Sequence, residues 1–146
     1  MEVALEKVKI ARNMSEETTA FTAELWLDGK LSAYVKNDGH GGDNHARFIR
    51  REEEMPFYDW CEAQPPWETS YGTFPMNSDI YIGNLLAAWE DNRYFKRLCA
   101  KKTVIRREVH SKGQYQYWPV PYAPEKAAQI RKAFPDVVEI INERFL

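Results

Sequence analysis

The chain has 146 residues, 44% of them hydrophobic and 29% charged, with a net charge of −2. These proportions exclude disorder as the default reading, and the length suits a single domain, 1–146, able to bury one sizeable core. No apolar run approaches the roughly 18 residues that cross a bilayer, and the amino terminus lacks the basic-then-apolar order of a signal peptide, so a cytoplasmic protein without membrane contact is expected.

In chain order, Leu5 to Ala11 alternates weakly and reads as a strand that ends in a polar loop from Asn13 to Thr18. Ala20 to Leu27, the pair Asp28-Gly29, and Lys30 to Lys36 read as two strands joined by a tight turn. Asp-Gly between apolar runs favours a hairpin because both turn positions need positive φ. The second strand feeds the Asn37-Asp38-Gly39 corner and a glycine loop, and His45 to Ile49 reads as a short returning strand.

Pro56 is expected to interrupt the acidic run, with a short helix from Phe57 to Ala63 halted by Pro65-Pro66 and a loop over residues 67–77. Asn77 or Ser78 is suited to cap a long helix to about Ala100, with an apolar stripe of Ile82, Leu85, Leu86, Trp89, Phe95, Leu98 and Cys99. An alternative keeps residues 80–82 as a strand and starts the helix at Asn84. Thr103 to His110 and Gln114 to Val120 read as a second hairpin turned at Ser111-Lys112-Gly113, with Pro119 and Pro121 suited to a sheet edge. Pro124 and Pro135 each predict a helix start, giving helices near 124–133 and 136–145, the last with a buried stripe of Val137, Val138, Ile141 and Phe145. The class predicted is α+β: an antiparallel sheet of four to six strands built from two hairpins, packed by the long middle helix and C-terminal helices.

Cys61 and Cys99 are far apart and read as buried free thiols rather than a disulfide or a nucleophile. Aromatic residues reach 14%, a surplus that fits rings at an interface and a homo-oligomer. Charge is uneven along the chain: residues 52–95 sum to −8 and residues 96–112 to +6. Either a charged partner is steered by that split, or the acidic stretch docks on the basic one, and the second reading is preferred.

Residues 37–47 concentrate polar chemistry beside little steric bulk. Asn37, Asp38, Gly39, His40, Gly41, Gly42, Asn44, His45 and Arg47 form the candidate ligand-binding set. As an anion site, successive glycines would turn backbone N–H groups toward one point, with Arg47, Arg50 and Arg51 nearby. The spacing fits neither a Walker A loop nor a dinucleotide fingerprint. As a metal site, His40, Asp43 and His45, with Asp38, would supply nitrogen and oxygen donors. The structural alternative, which takes the largest share, has Asn37, Asp38 and Asn44 bonding their own backbone while the glycines permit the path. No nucleophile elbow, thiol–histidine pair or carboxylate pair is apparent, so no catalytic residue and no cofactor is expected.

Arg106, Arg107, Lys112, Tyr115, Tyr117 and Trp118 of the second hairpin are the candidate partner-binding set. Positive charge beside stacking rings suits single-stranded nucleic acid, a nucleotide base or a protein. An aromatic face packed under a helix is the reading it must displace.

Phe21 to Lys30 followed by Val35 to Gly42 resembles an arrangement found in short bacterial and phage proteins of no assigned activity, over about residues 20–45. The resemblance implies an accessory protein of a phage or mobile element, and transfers no residue roles. The function expected is therefore a non-enzymatic binding protein, a phage-type inhibitor of a host defence factor acting through protein–protein contact. The alternatives are a nucleotide sponge using the glycine loop and its arginines, and a metal-dependent hydrolase.

Overall fold

Asp28 and Gly29 both take positive φ, 50° and 76°, as a two-residue hairpin turn matched to the twist of the sheet requires. They join β2 (Phe21–Leu27) to β3 (Lys30–Asn37), and β1 (Val3–Ile10) and β4 (His45–Phe48) complete an antiparallel sheet of order β1-β2-β3-β4. The computed structural model describes residues 1–146. Its three helices and nine strands make it α+β. Contacts divide the chain into two compact units, Met1–Trp89 and Glu90–Leu146.

In the first unit alternation, broken where β1 and β3 each shift register against β2, decides which face of the sheet is buried. Phe21, Ala23, Leu25 and Leu27 of β2, Ala33 and Val35 of β3 and Ala46 of β4 point inward. They pack with Phe57 and Cys61 of α1 (Glu54–Glu62) and with Ile82 and Leu86 of α2 (Ser78–Cys99). Each large side chain buried this way contributes about 1.5–3 kcal/mol. Asn77 accepts the Ile80 N–H and caps α2, as expected from its type and position.

Two local expectations are corrected. Pro56 does not interrupt its segment; it occupies the first turn of α1, where its missing N–H has no helical partner to lose. Within 67–77, Trp67–Thr69 (β5) and Gly72–Phe74 (β6) pair as a small hairpin instead of running as plain loop.

The second unit holds its own sheet. β7 (Thr103–Arg107) lies between β8 (Gln116–Trp118) and β9 (Val137–Ile140), so the second hairpin forms a sheet apart from the first. α3 (Pro124–Ala133) begins on Pro124 as its sequence predicts, and Ala127 packs with Ile105 and Ile140. The helix expected over 136–145 is instead β9 followed by a 3-10 turn, Ile141–Phe145. Val137, Val138 and Ile140 are β-branched, and pairing with Arg107 to Ile105 gives them a ladder that outweighs the helical reading. Val138, expected inside, is 62% exposed.

Candidate functional site

The glycine loop is organised from Asn37, whose side chain is nearly out of solvent at 8% exposure. Its Oδ1 accepts the Thr18 hydroxyl at 2.7 Å and the Gly39 N–H at 2.8 Å, while its Nδ2 donates to Gly42 O at 3.0 Å and Asn44 Oδ1 at 3.1 Å. Gly39 O accepts the N–H groups of both Glu16 and Glu17, and Gly41 N–H donates to Thr18. Asn44 is tied to α2, its N–H donating to the Asp79 carboxylate and its Nδ2 to the Asp79 carbonyl. Two of the amides that would form an anion nest, those of Gly39 and Gly41, are thus engaged within the fold. Glu16 beside His40, and Glu17 beside Gly41, add negative charge where an anion would sit.

Of the nine residues proposed for the loop, Asn37, Gly39, Gly41, Gly42 and Asn44 hold its shape. Asp38 and His40 are exposed, His40 Nδ1 lying 3.2 Å from Glu16. No three His, Cys, Asp or Glu side chains of the chain come together as a metal-holding group, so His40, Asp43 and His45 do not form a donor set. His45 and Arg47 leave the loop altogether and stand on the sheet.

On the second hairpin the charges are engaged close by. Arg107 donates to Asp136 at 3.0 Å and lies over the Phe134 ring, and Arg106 sits 3.9 Å from Glu139. Trp118 packs with Phe134 in the second core cluster. Tyr115 shares a hydrogen bond with Tyr94 and packs edge-on against Phe95, which leaves Tyr117, under the Lys102 ammonium, and Lys112 exposed. Arg107 and Trp118 thus meet at Phe134, while Tyr115 and Tyr117 lie side by side, their ring centres 6.5 Å apart.

The outer face of the β1–β4 sheet gathers what the loop and the hairpin do not. Register places Lys9, Thr22, Lys36 and His45 in one cross-strand row and Glu6, Glu24, Tyr34 and Arg47 in the next, with Ala4, Trp26 and Leu31 beyond. Rows two residues apart along a strand are separated by about 7 Å, and neighbours within a row by about 5 Å. Where the pairing of β1 with β2 shifts, Lys7 adopts φ 48°, unusual for a side chain of that bulk, and its ammonium reaches 3.9 Å from Glu24. Lys9, Thr22, Tyr34, Lys36, His45 and Arg47 are all exposed, and the Arg47 guanidinium lies 5.7 Å from the Tyr34 ring centre.

A groove of about 690 Å³ runs over this face, lined by Lys7, Lys9, Glu24, Tyr34, Lys36 and Arg47 among others. Its volume falls in the range of small-ligand sites. Four of its lining residues are permanent cations, and Glu24 is its acid. That carboxylate already accepts the Trp26 indole N–H at 3.3 Å.

Sequence reasoning named His45 and Arg47 for the loop but missed Lys7, Lys9, Tyr34 and Lys36. The Asp28-Gly29 turn alone does not reveal them: it sets Leu27 opposite Lys30 and Trp26 opposite Leu31, and a register shift beyond Trp26 is what brings Thr22 opposite Lys36 and Glu24 opposite Tyr34. Burial pushes the Cys61 thiol up to about 11 and raises Cys99, so both stay protonated at neutral pH. No helix is long and apolar enough to cross a membrane. No protein-family model, curated protein or solved structure matches the chain.

Proposed function

We propose that this chain is a small non-enzymatic binding protein, that its recognition surface is the exposed face of the four-stranded sheet, and that its partner presents negative charge there. The observation that carries the reading is the groove in which Lys7, Lys9, Lys36 and Arg47 surround one acid, Glu24. Like charges about 7 Å apart repel by roughly 0.6 kcal/mol in water, and a bound anion turns that cost into attraction. A protein of this kind acts by occupying its partner. Its free thiols, Cys61 and Cys99, suit a reducing compartment such as the cytosol.

Retention on a heparin matrix at neutral pH tests the reading, because a chain of pI 6.0 has no general reason to stay on a polyanion. The wild type is expected to be retained, and a Lys9→Glu, Lys36→Glu, Arg47→Glu variant to pass through. If that variant elutes with the wild type while Lys101→Glu with Lys102→Glu abolishes retention, the surface lies in the second unit and the proposal fails.

A further inference from the structure

Resting on that reading, we infer that the anionic partner of the sheet face is single-stranded nucleic acid, its phosphates held by Lys7, Lys9, Lys36 and Arg47 and a base stacked on Tyr34. The ring at the centre of the face separates this ligand from a merely acidic one. Tyr34 is 43% exposed, although it stands on a strand whose inward neighbours Ala33 and Val35 are buried. It is flanked by Arg47 across the β3–β4 pair and by Lys36 two residues along its own strand. An acidic protein surface has charge to offer those cations but no particular use for an exposed ring among them. A nucleotide supplies phosphate and aromatic base together, and base-on-ring stacking tolerates any sequence.

Shape narrows the choice further. The major groove of a duplex admits a helix or a two-stranded ribbon, and the minor groove is narrower still. A four-stranded face is broader than either groove of an undeformed duplex, whereas a single strand can lie across it with its bases turned to the sheet. The acids on the face do not oppose this arrangement strongly. Glu24 is engaged by Lys7 and Trp26, and Glu6 stands opposite Glu24 on the outer strand, away from Tyr34 and Lys36. The apolar row of Ala4, Trp26 and Leu31 continues the surface past Tyr34, so that a second base leaving the cations meets an indole instead of water.

The experiment is fluorescence anisotropy of the whole chain with a labelled oligothymidylate. The same oligomer annealed into a duplex, and labelled polyglutamate, serve as the other arms. Four phosphate contacts on a single strand predict a log–log salt slope near −2.8, which weakens binding about 50-fold between roughly 50 and 200 mM salt. Tyr34→Leu is expected to weaken binding about tenfold with the slope unchanged, and Tyr34→Phe to stay within about twofold. Lys36→Gln is expected to reduce the slope by about 0.7, which a general loss of folding would not do.

Equal affinity for polyglutamate and oligothymidylate, indifferent to Tyr34→Leu, would overturn the nucleic-acid inference and leave the anionic-partner reading standing. Preference for the duplex would likewise overturn it. Absence of oligothymidylate binding by a wild type that heparin retains defeats this inference alone, and absence of both defeats the two together.

Discussion

Gly39 is buried and holds φ at 85°, and a Cβ there would run into the Met14 carbonyl and crowd the Ala20 Cβ at 3.0 Å. Gly42, three residues along the same loop, has open space around it and lacks that backbone constraint. Gly39→Ala is therefore expected to destabilise the protein by about 2–4 kcal/mol, and Gly42→Ala to stay within about 0.5 kcal/mol, in urea unfolding. A similar cost at both glycines would show that the loop is not held as described. The sequence displays the glycines and their polar neighbours plainly, and its structural reading rightly gave Asn37 bonds to its own loop's backbone, whereas the Asn44 side chain bonds the Asn37 side chain and the Asp79 carbonyl of α2. What it does not display is the second party. Glu16, Glu17 and Thr18 close over the loop from a segment some twenty residues earlier, and no local pattern announces that approach.

Among the elements, β7 depends on one buried side chain. Asn142 is 3% exposed; its Oδ1 accepts the Val104 N–H at 2.8 Å, and its Nδ2 donates to Lys102 O at 2.8 Å and Cys99 O at 3.3 Å. It holds the end of α2 against the start of β7. Asn142→Leu leaves three backbone groups without these partners and is expected to cost about 2–4 kcal/mol in chemical denaturation, and Asn142→Asp is expected to fail as well because a carboxylate cannot donate to the two carbonyls. The same end of the chain carries an acid sensitivity. Hydrogen bonding to Arg144 holds the Glu139 carboxyl below its ordinary 4.5, and Arg131 does the same for Glu143. With folded values depressed, this stabilisation is present above about pH 4.5 and is lost as the pH falls through the lowered values. Glu139→Gln is expected to flatten the decline in urea midpoint between about pH 5 and 3, at a cost near neutrality of roughly 1 kcal/mol because the pair is partly exposed. A decline as steep as that of the wild type would show that Glu139 is not responsible. The segment carrying these residues was read as a helix from Pro135 and a stripe of Val137, Val138, Ile141 and Phe145. Val137, Ile141 and Phe145 are even numbers of residues apart, so three of the four fit a strand's alternation as well as a helix's period over so short a run. The ladder with β7, a non-local partner, made the choice. The Asp28-Gly29 hairpin and the 22-residue α2 were legible because turn chemistry in one and cap plus long period in the other are local signals.

Over the whole chain a running tally of charge conceals the cationic face. Residues 1–51 sum to zero, yet Glu16, Glu17, Asp28, Asp38 and Asp43 fall in loops and turns while Lys9, Lys36 and Arg47 fall on outward positions of three paired strands. Alternation sorts charges that composition averages away. The unevenness that composition does show, around 96–112, is met in part by acids closer to the carboxyl terminus, since Arg106 and Arg107 pair with Glu139 and Asp136. A cationic face of this kind is a burden on the unbound protein. Lys9 and Lys36 flank Thr22 from either side, about 10 Å apart, with Arg47 in the neighbouring row and Lys7 at the register shift between the two rows. Their mutual repulsion is worth a few tenths of a kcal/mol per pair in water and operates only while salt does not screen it. Neutralising both, Lys9→Gln with Lys36→Gln, is therefore expected to raise stability by about 0.5 kcal/mol at low ionic strength, and the gain is expected to vanish near 1 M salt, where the screening length falls to about 3 Å. Binding to a polyanion should weaken in the same variant, so stability and recognition move in opposite directions, as expected when residues are kept for a partner and not for the fold. If these lysines served the fold instead, the double variant would lose stability at every salt concentration. Urea unfolding of wild type and variant at low and high salt distinguishes the two outcomes.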